Sequence, residues 1–381
     1  MAPTVALLST GDPTSPATWS GTPFGMLSGL RASGATVIPV GPLRQPFGAA
    51  LRVATGVRNR LAADRYEVHR EAVLRRAYAR QVEAVLRSHR PDLIVATTSI
   101  PVDGLRADCP VVIWADATVG GMIGYYPEFD CWSPRTRRVA VAAERAALER
   151  AELFVGASEW AVATARRDYG GPVSRLGVVP FGANLAAPDP PSPRTPGRDR
   201  VRLLAVGVGW DRKGIGTAVE AVELLRRAGV AASLDIVGCE PPTGAPLPAG
   251  VTVHGFVDPA TGAGRQRLDA LYRGADLFVL PTRAECFGVV FCEAAAYGLP
   301  VIAPDTGGIG TAVLDGVTGV LVRPGAGAAA YADAVCGLLD DPARYGWLSH
   351  LARDRYEQVL NWKSAATRLL TVAAERLAIP A

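Results

Sequence analysis

Three loops in the second half of the chain carry side chains able to hold an anionic, polyhydroxylated ligand. The first reads GVGWDRKGIG, from Gly207 to Gly216, and sets Lys213 among four glycines. Of the 40 basic side chains only Lys213 and Lys363 are lysines. Chance survival in an arginine-rich sequence is the plain explanation, so the neighbours must decide. Glycines let backbone N–H groups approach an anion, a helix starting after the loop points its positive end there, and lysine adds a mobile charge. The Walker A pattern GxxxxGKS or GxxxxGKT is not matched. The second loop, PTRAECFGVVFCEAAAYGLPVIA at 281–303, carries Glu285 and Glu293. Gly288 is placed to precede a helix, which leaves Glu285 in the loop and Glu293 about one turn inside. Val289, Val290, Phe291, Cys292 and three alanines surround Glu293. A carboxylate in that company needs partners, either backbone donors that it caps or hydroxyls of a ligand. The third loop, DTGGIGTAVLDGVTG at 305–319, puts Gly307 and Gly308 ahead of another short helix. Amides, one ammonium and two carboxylates together suit a diphosphate flanked by two sugar rings, which describes a nucleotide sugar.

These loops need strands behind them and helices ahead of them. Short β-branched runs recur with helical stretches between: TVALLS, ATVIPV, DLIVATT, VVIWAD and ELFVGAS, then VRLLAV, SLDIVG, VTVHG, DLFVLP and PVIAP. That alternation predicts two parallel α/β sheets, whose ligands bind beyond the carboxyl ends of the strands. Ala218, Ala221, Val222 and Leu225 share one face of a helix after Gly216, and Gly229 closes it. Between the halves, LAAPDPPSPRTPGRDR at 185–200 holds five prolines and reads as a stiff, extended connector. NWKSAATRLLTVAAERLA at 361–378 is a long amphipathic helix with no strand after it. The arginine-rich stretch from Arg52 to Arg90 also reads as helical, with Leu61, Val68, Val73, Val82 and Leu86 as its apolar members. A solvated basic face is the favoured reading of it, anionic membrane contact the minority one.

At 381 residues the chain is too long for one core of ordinary size, so two domains are expected. A net charge of +4, with arginines spread among 36 acids, gives no footprint for nucleic acid. The N-terminus, MAPTVALLSTGDP, lacks a basic region and reads as a first strand rather than a signal peptide. No uncharged run approaches the length of a membrane span. Six cysteines show neither CxxC spacing nor a nearby histidine cluster, so reduced thiols, no metal site and a cytoplasmic location are expected.

Taken in order, ECFGVVFCE, the preceding ALYRGADLFVLPT, the following AYGLPVIAPDTGG and DGVTGVLV, the lysine–glycine loop and VVPFGAN at 178–184 resemble the retaining glycosyltransferases of family 4. The resemblance is dense over 175–325 and collinear elsewhere. It implies a GT-B fold, with two Rossmann-like parallel-sheet domains facing a cleft. Residues 1–185, with the helix 361–378 crossing back, would form the acceptor domain, and 186–360 the donor domain. The resemblance further implies that Lys213 contacts the donor diphosphate, Glu285 the hydroxyls of the transferred sugar and Glu293 the ribose diol. Amides around Phe287, Gly288 and Val289 would hold sugar and phosphate oxygens, Gly307 and Gly308 would close the site, and Gly255, Phe256 and Val257 of HGFVD would meet the nucleobase. Many relatives carry an arginine five residues before the lysine, where this chain has Val208; Arg212 either substitutes for it or points to solvent. Thr311 stands where an acid is common.

In the first half, TWSGTPFGML places Ser20, Gly21 and Thr22 ahead of Pro23, a residue suited to a first helical turn. Relatives often have a glycine pair here facing the donor phosphates, of which only Gly21 is retained. Asp116 ends VVIWAD in a region where many relatives carry histidine, and either caps a loop or touches substrate. Tyr125 and Tyr126 are candidate lining of an acceptor site or core residues. The four histidines supply no evident base, which fits the front-face mechanism ascribed to the family, in which the donor phosphate helps take the acceptor proton. The expectation is a metal-independent, cofactor-free transferase that joins a sugar from a nucleoside-diphosphate sugar to a small metabolite or natural-product scaffold. Rival readings are a lipid or polysaccharide transferase at a membrane surface, and a noncatalytic sugar-nucleotide-binding protein.

Overall fold

The computed structural model describes residues 2–45, 48–171, 175–185, 189, 194–242 and 247–377. The chain divides into two compact units, Met1–Val179 with Ala365–Ala381, and Pro180–Ser364. Of the proline-rich stretch 185–200, residues 186–188 and 190–193 lie outside the described residues.

The first unit is built on β1 (Thr4–Leu8), β2 (Thr36–Val40), β3 (Leu93–Ala96), β4 (Val111–Ala115), β5 (Leu153–Gly156) and β6 (Leu176–Val178). All are parallel, in the order β2-β1-β3-β4-β5-β6. Strands β3, β4 and β5 are buried at every position, the continuous apolar reading that a sheet covered on both faces requires. The second unit holds β7 (Val201–Val206), β8 (Ala232–Val237), β9 (Val251–Val253), β10 (Leu277–Val279), β11 (Val301–Pro304) and β12 (Gly319–Val322), also all parallel. Its order is β12-β11-β10-β7-β8-β9. Counted within the unit this is 3-2-1-4-5-6 reversed, the dinucleotide-binding order, whose crevice opens where the winding changes direction. That switch point lies between β7 and β10. In the first unit, wound like flavodoxin, it lies between β1 and β3. The expectation of two parallel α/β sheets therefore holds, and β6 and β12 add a strand to each.

Helix Ile215–Arg227 buries Ile215, Ala218, Ala221, Val222 and Leu225, and Gly229 follows with φ of +80°. The last helix, Trp362–Leu377, buries Ala365, Ala366, Leu369, Val372 and Ala373. Within the first unit its Thr367 hydroxyl lies 3.0 Å from Ser33 Oγ, and its Arg376 donates to the Leu176 carbonyl at 2.8 Å.

The stretch 52–90 differs from its expected reading. It forms two helices, Gly48–Leu61 and Ala72–His89, separated by a 3-10 turn at Val68–Arg70. Leu61 and Val73 are 84% and 68% exposed, whereas Leu74, Tyr78, Ala79 and Val82 make the buried face. The buried stripe of the second helix thus begins one residue later than Val73, because a single helical phase cannot run through the turn.

Candidate active site

The GVGWDRKGIG loop follows β7, and PTRAECFG follows β10, so the two loops most able to bind an anion flank the second unit's switch point. They are tied together by backbone. The Arg212 carbonyl accepts from Arg283 N–H at 2.8 Å and from the Thr282 hydroxyl at 3.2 Å. Gly214 packs so closely that a Cβ there would stand 1.9 Å from the Pro281 carbonyl oxygen, and its φ is +65°. Between these anchors the stem of Lys213 runs along Gly207, where a Cβ would lie 2.8 Å from Lys213 Cε. The ammonium donates to the Glu285 carboxylate in a short ion pair. Both residues are buried, Lys213 at 6% and Glu285 at 9% exposure, so each charge depends on the other or on a ligand.

Gly288 caps the helix Val289–Ala296 with φ of +85°, and a Cβ on it would meet the Phe291 ring at 2.4 Å. Glycine is thus required where the chain turns past Glu285 into that helix. Phe287 is buried and packs edge-on against Phe181, 5.6 Å between ring centres. Gly308 N–H donates to the Glu285 carbonyl at 3.0 Å, which brings the third loop onto the second, and Gly307 has φ of +57°. Thr311 begins the last turn of the short helix Ile309–Ala312, with its carbonyl held by Arg355.

Glu293 lies one turn into its helix. Its carboxylate accepts from the Tyr272 hydroxyl at 2.9 Å and from the Asn184 backbone N–H. These two donors do not offset desolvation, and burial pushes the carboxyl up from 4.5 to about 7. Asn184 is fixed in turn by Trp362, whose indole N–H donates to it at 2.9 Å. The VVPFGAN segment therefore has a physical purpose: Phe181 stacks on Trp362 at 5.4 Å, Gly182 leaves room for the backbone of Asn361 and Trp362, and Asn184 reaches Glu293. Sequence reasoning named the segment but not Asn184 or Tyr272 as partners of Glu293. The signal available was that buried carboxylates require donors.

Gly255 has φ of +62°, and its carbonyl accepts from Gly238 N–H at 2.8 Å, which joins HGFVD to the end of β8. Phe256 projects with 71% exposure, and Val257 is partly buried. Arg212 bends back so that its guanidinium donates to the carbonyl of Val208 at 3.0 Å.

In the first unit, Gly21 has φ of +86° and precedes the helix Thr22–Ala32 with Pro23 in its first turn. Trp19 and Ser20 also adopt positive φ, 43° and 52°, so two non-glycine residues hold a left-handed path ahead of that helix. Such backbone is costly and is found where surrounding structure or function demands it. Asp116 directly follows β4 and is partly buried. Tyr125 packs against Tyr126 at 5.4 Å and Trp160 at 4.9 Å, within an aromatic run that continues to Phe129 and Trp132. Glu144, which sequence reasoning did not single out, is buried and accepts from Ser99 Oγ at 2.9 Å, Tyr169 OH at 2.6 Å and Val119 N–H at 2.5 Å. All six cysteines are free, and among the described residues no three His, Cys, Asp or Glu side chains converge as metal ligands. No described helix is long and apolar enough to cross a membrane.

Residues 200–341, which hold β7 through the loop after β12, match the family profile described as Glycosyl transferases group 1. The second unit carries a glycosyltransferase group 1 domain. Its curated relatives include a D-inositol 3-phosphate glycosyltransferase of Xylanimonas cellulosilytica, 35% identical over 59% of this chain and 58% of that protein. A glycogen synthase of Mycobacterium tuberculosis is 32% identical over 55% of this chain and 51% of that one. The chain thus spans less than two thirds of the length of these relatives. Among solved structures, a sucrose-phosphate synthase of Thermosynechococcus elongatus superposes with a TM-score of 0.70 at 22% identity, covering 99% of this chain and all of that one. An Anabaena protein, HepE, solved with UDP and glucose, gives 0.64 at 18% identity over 98% of this chain and all of that one. These neighbours share the GT-B fold, and the two-sheet α/β architecture of this chain is of that type.

Proposed function

We propose that the protein is a cytoplasmic, retaining, metal-independent glycosyltransferase of family 4 that moves a sugar from a nucleoside-diphosphate sugar to a small-molecule acceptor. The observation that carries this reading is the buried Lys213–Glu285 pair in the crevice between β7 and β10, with Glu293 one helical turn away. An incoming donor would place its diphosphate against Lys213 and the amides of the glycine loops. Glu285, released in part from Lys213, would accept from hydroxyls of the transferred sugar, and Glu293 from the ribose diol. As the bond between anomeric carbon and phosphate oxygen breaks, negative charge grows on the departing diphosphate, where Lys213 and fixed amides stabilise it without reorganising. The acceptor oxygen bonds to the anomeric carbon on the face the diphosphate leaves, and its proton passes to a diphosphate oxygen.

The name of the Xylanimonas relative adds a phosphorylated polyol to the acceptor classes worth testing. The purified protein should release nucleoside diphosphate slowly from one member of a panel of UDP, GDP, ADP and dTDP sugars, and Lys213→Ala should slow that release about a hundredfold. Absence of release across the whole panel, with nucleotide still bound, would favour a noncatalytic binding protein.

A further inference from the structure

The first unit has a crevice at its own switch point. A cavity of about 400 Å3 opens beyond β1, β2 and β3, with Gly11, Leu43 and Ile100 marking the three strand ends. Small-molecule sites fall in the range of roughly 300–1,000 Å3 and prefer this place in open sheets. One wall is aromatic, formed by Phe129 and Trp132. The opposite wall is a polar string in which His69 Nδ1 lies 3.3 Å from the Tyr78 hydroxyl and 3.2 Å from Gln45 Nε2.

Arg70 stands between these walls, its guanidinium carbon 5.9 Å above the Trp132 ring. Among the described residues no carboxylate oxygen comes within 4.0 Å of its nitrogens, and its guanidinium donates no hydrogen bond. Two carboxylates, Glu144 and Glu67, are near enough to act on it, and Glu67 itself lines the cavity. Glu67 turns back onto its own 3-10 turn, accepting His69 N–H at 3.2 Å and lying 3.8 Å from His69 Nε2. Glu144 is committed to Ser99, Tyr169 and Val119. Burial draws the Arg70 guanidinium below its usual range, the sign of a cation whose desolvation is not offset.

We propose that this cavity is the acceptor site, and that it takes an acidic small molecule whose carboxylate or phosphate meets Arg70 while its ring or carbon face lies on Trp132 and Phe129. The inference rests on the transferase reading and adds the acceptor class to it. Guanidinium suits such a role because its planar fork grips an oxyanion with two hydrogen bonds while stacking on an aromatic face.

The test uses the full chain with nucleoside diphosphate bound, and calorimetry with matched pairs: inositol phosphate against inositol, glucose 6-phosphate against glucose, and 4-hydroxybenzoate against 4-hydroxybenzyl alcohol. The acidic member of at least one pair should bind on the order of 10- to 100-fold tighter than its neutral partner, the span expected of a charge-assisted hydrogen-bonded contact. The phosphate and carboxylate pairs tell the two anions apart. Arg70→Gln should erase the preference, and Arg70→Lys should keep part of it, with melting temperature and nucleotide affinity as controls for folding. No acidic preference in any pair, or a preference that survives Arg70→Gln, overturns the proposal. A protein that binds acidic partners selectively yet releases no nucleotide from any sugar donor would instead strike the transferase reading.

Discussion

Lys213 and Glu285 are 72 residues apart in sequence and share one ion pair, so each is the other's counterion whenever no donor is bound. Removing one side chain therefore does two things: it deletes the proposed ligand contact and strands a buried charge. Lys213→Ala should cost on the order of 3 kcal/mol of transition-state stabilisation, about a hundredfold in turnover. Lys213→Arg tests whether charge alone suffices. The lysine stem runs tightly along Gly207, and a planar guanidinium is a poor replacement for a compact ammonium on a flexible stem. Lys213→Arg should lose part of the activity, while Lys363→Arg, at an exposed position, should be silent at matched melting temperature. A fully active Lys213→Arg protein would return that lysine to codon chance. Glu293 supplies a second test. The folded protein holds its proton up to about pH 7, whereas the unfolded chain releases it near 4.5. The folded state therefore binds more protons in this window, and stability falls as pH rises through it. Glu293→Gln removes that dependence. Its melting temperature, measured against the parent by differential scanning, should rise from pH 5 to pH 8. A constant difference over that range would mean that Glu293 ionises freely when folded.

At the scale of elements, the ten strands marked by β-branched runs were readable because buried parallel strands are nearly all apolar. β6 and β12 were not marked, and each carries a glycine, Gly177 and Gly319, that interrupts its short apolar run. What no local pattern encodes is strand order, and order is what puts Lys213 beside Glu285 and sets the cavity around Arg70. Arg70 itself was hidden in a run of arginines whose favoured reading was a solvated face. Only the 3-10 turn between two helices brings it inward. The glycines of the donor loops, by contrast, were legible as glycines, and the structure supplies their reason. Gly214 combines a left-handed φ with a backbone oxygen where a Cβ would go, whereas Gly325 has φ of +74° with nothing within 4 Å. Gly325→Ala should cost about 1 kcal/mol from backbone strain alone. Gly214→Ala should cost about 3 kcal/mol or more from strain and overpacking together, and it should separate the Arg212 carbonyl from the loop after β10. Denaturant titration of the two variants compares them directly, and equal losses would show that the loop yields without resistance.

For the molecule as a whole, each unit carries a parallel sheet with a crevice at its own switch point, and the chemistry proposed for each differs in kind. The crevice of the second unit has a cation already paired and glycine-rich backbone around it, and the described residues offer no metal-ligand cluster. In the proposed mechanism Lys213 and fixed amides would perform the charge stabilisation that a divalent ion performs elsewhere; that proposal expects turnover to survive EDTA, and activity lost on chelation and restored by magnesium or manganese would contradict it. The same division of labour sets where ligands slow hydrogen exchange, because a ligand that binds only the folded form suppresses the local openings it bridges. Nucleoside diphosphate should protect the amides of 207–216, 282–289 and 305–310, together with the backbone around Gly255, and leave the turn at Val68–Arg70 unchanged. An acidic acceptor added afterwards should protect that turn and the segment around Phe129 and Trp132. Mass-resolved exchange on the full chain reads both in one experiment. Protection by nucleotide confined to the first unit would place the donor on the wrong sheet and with it the roles of Lys213, Glu285 and Glu293.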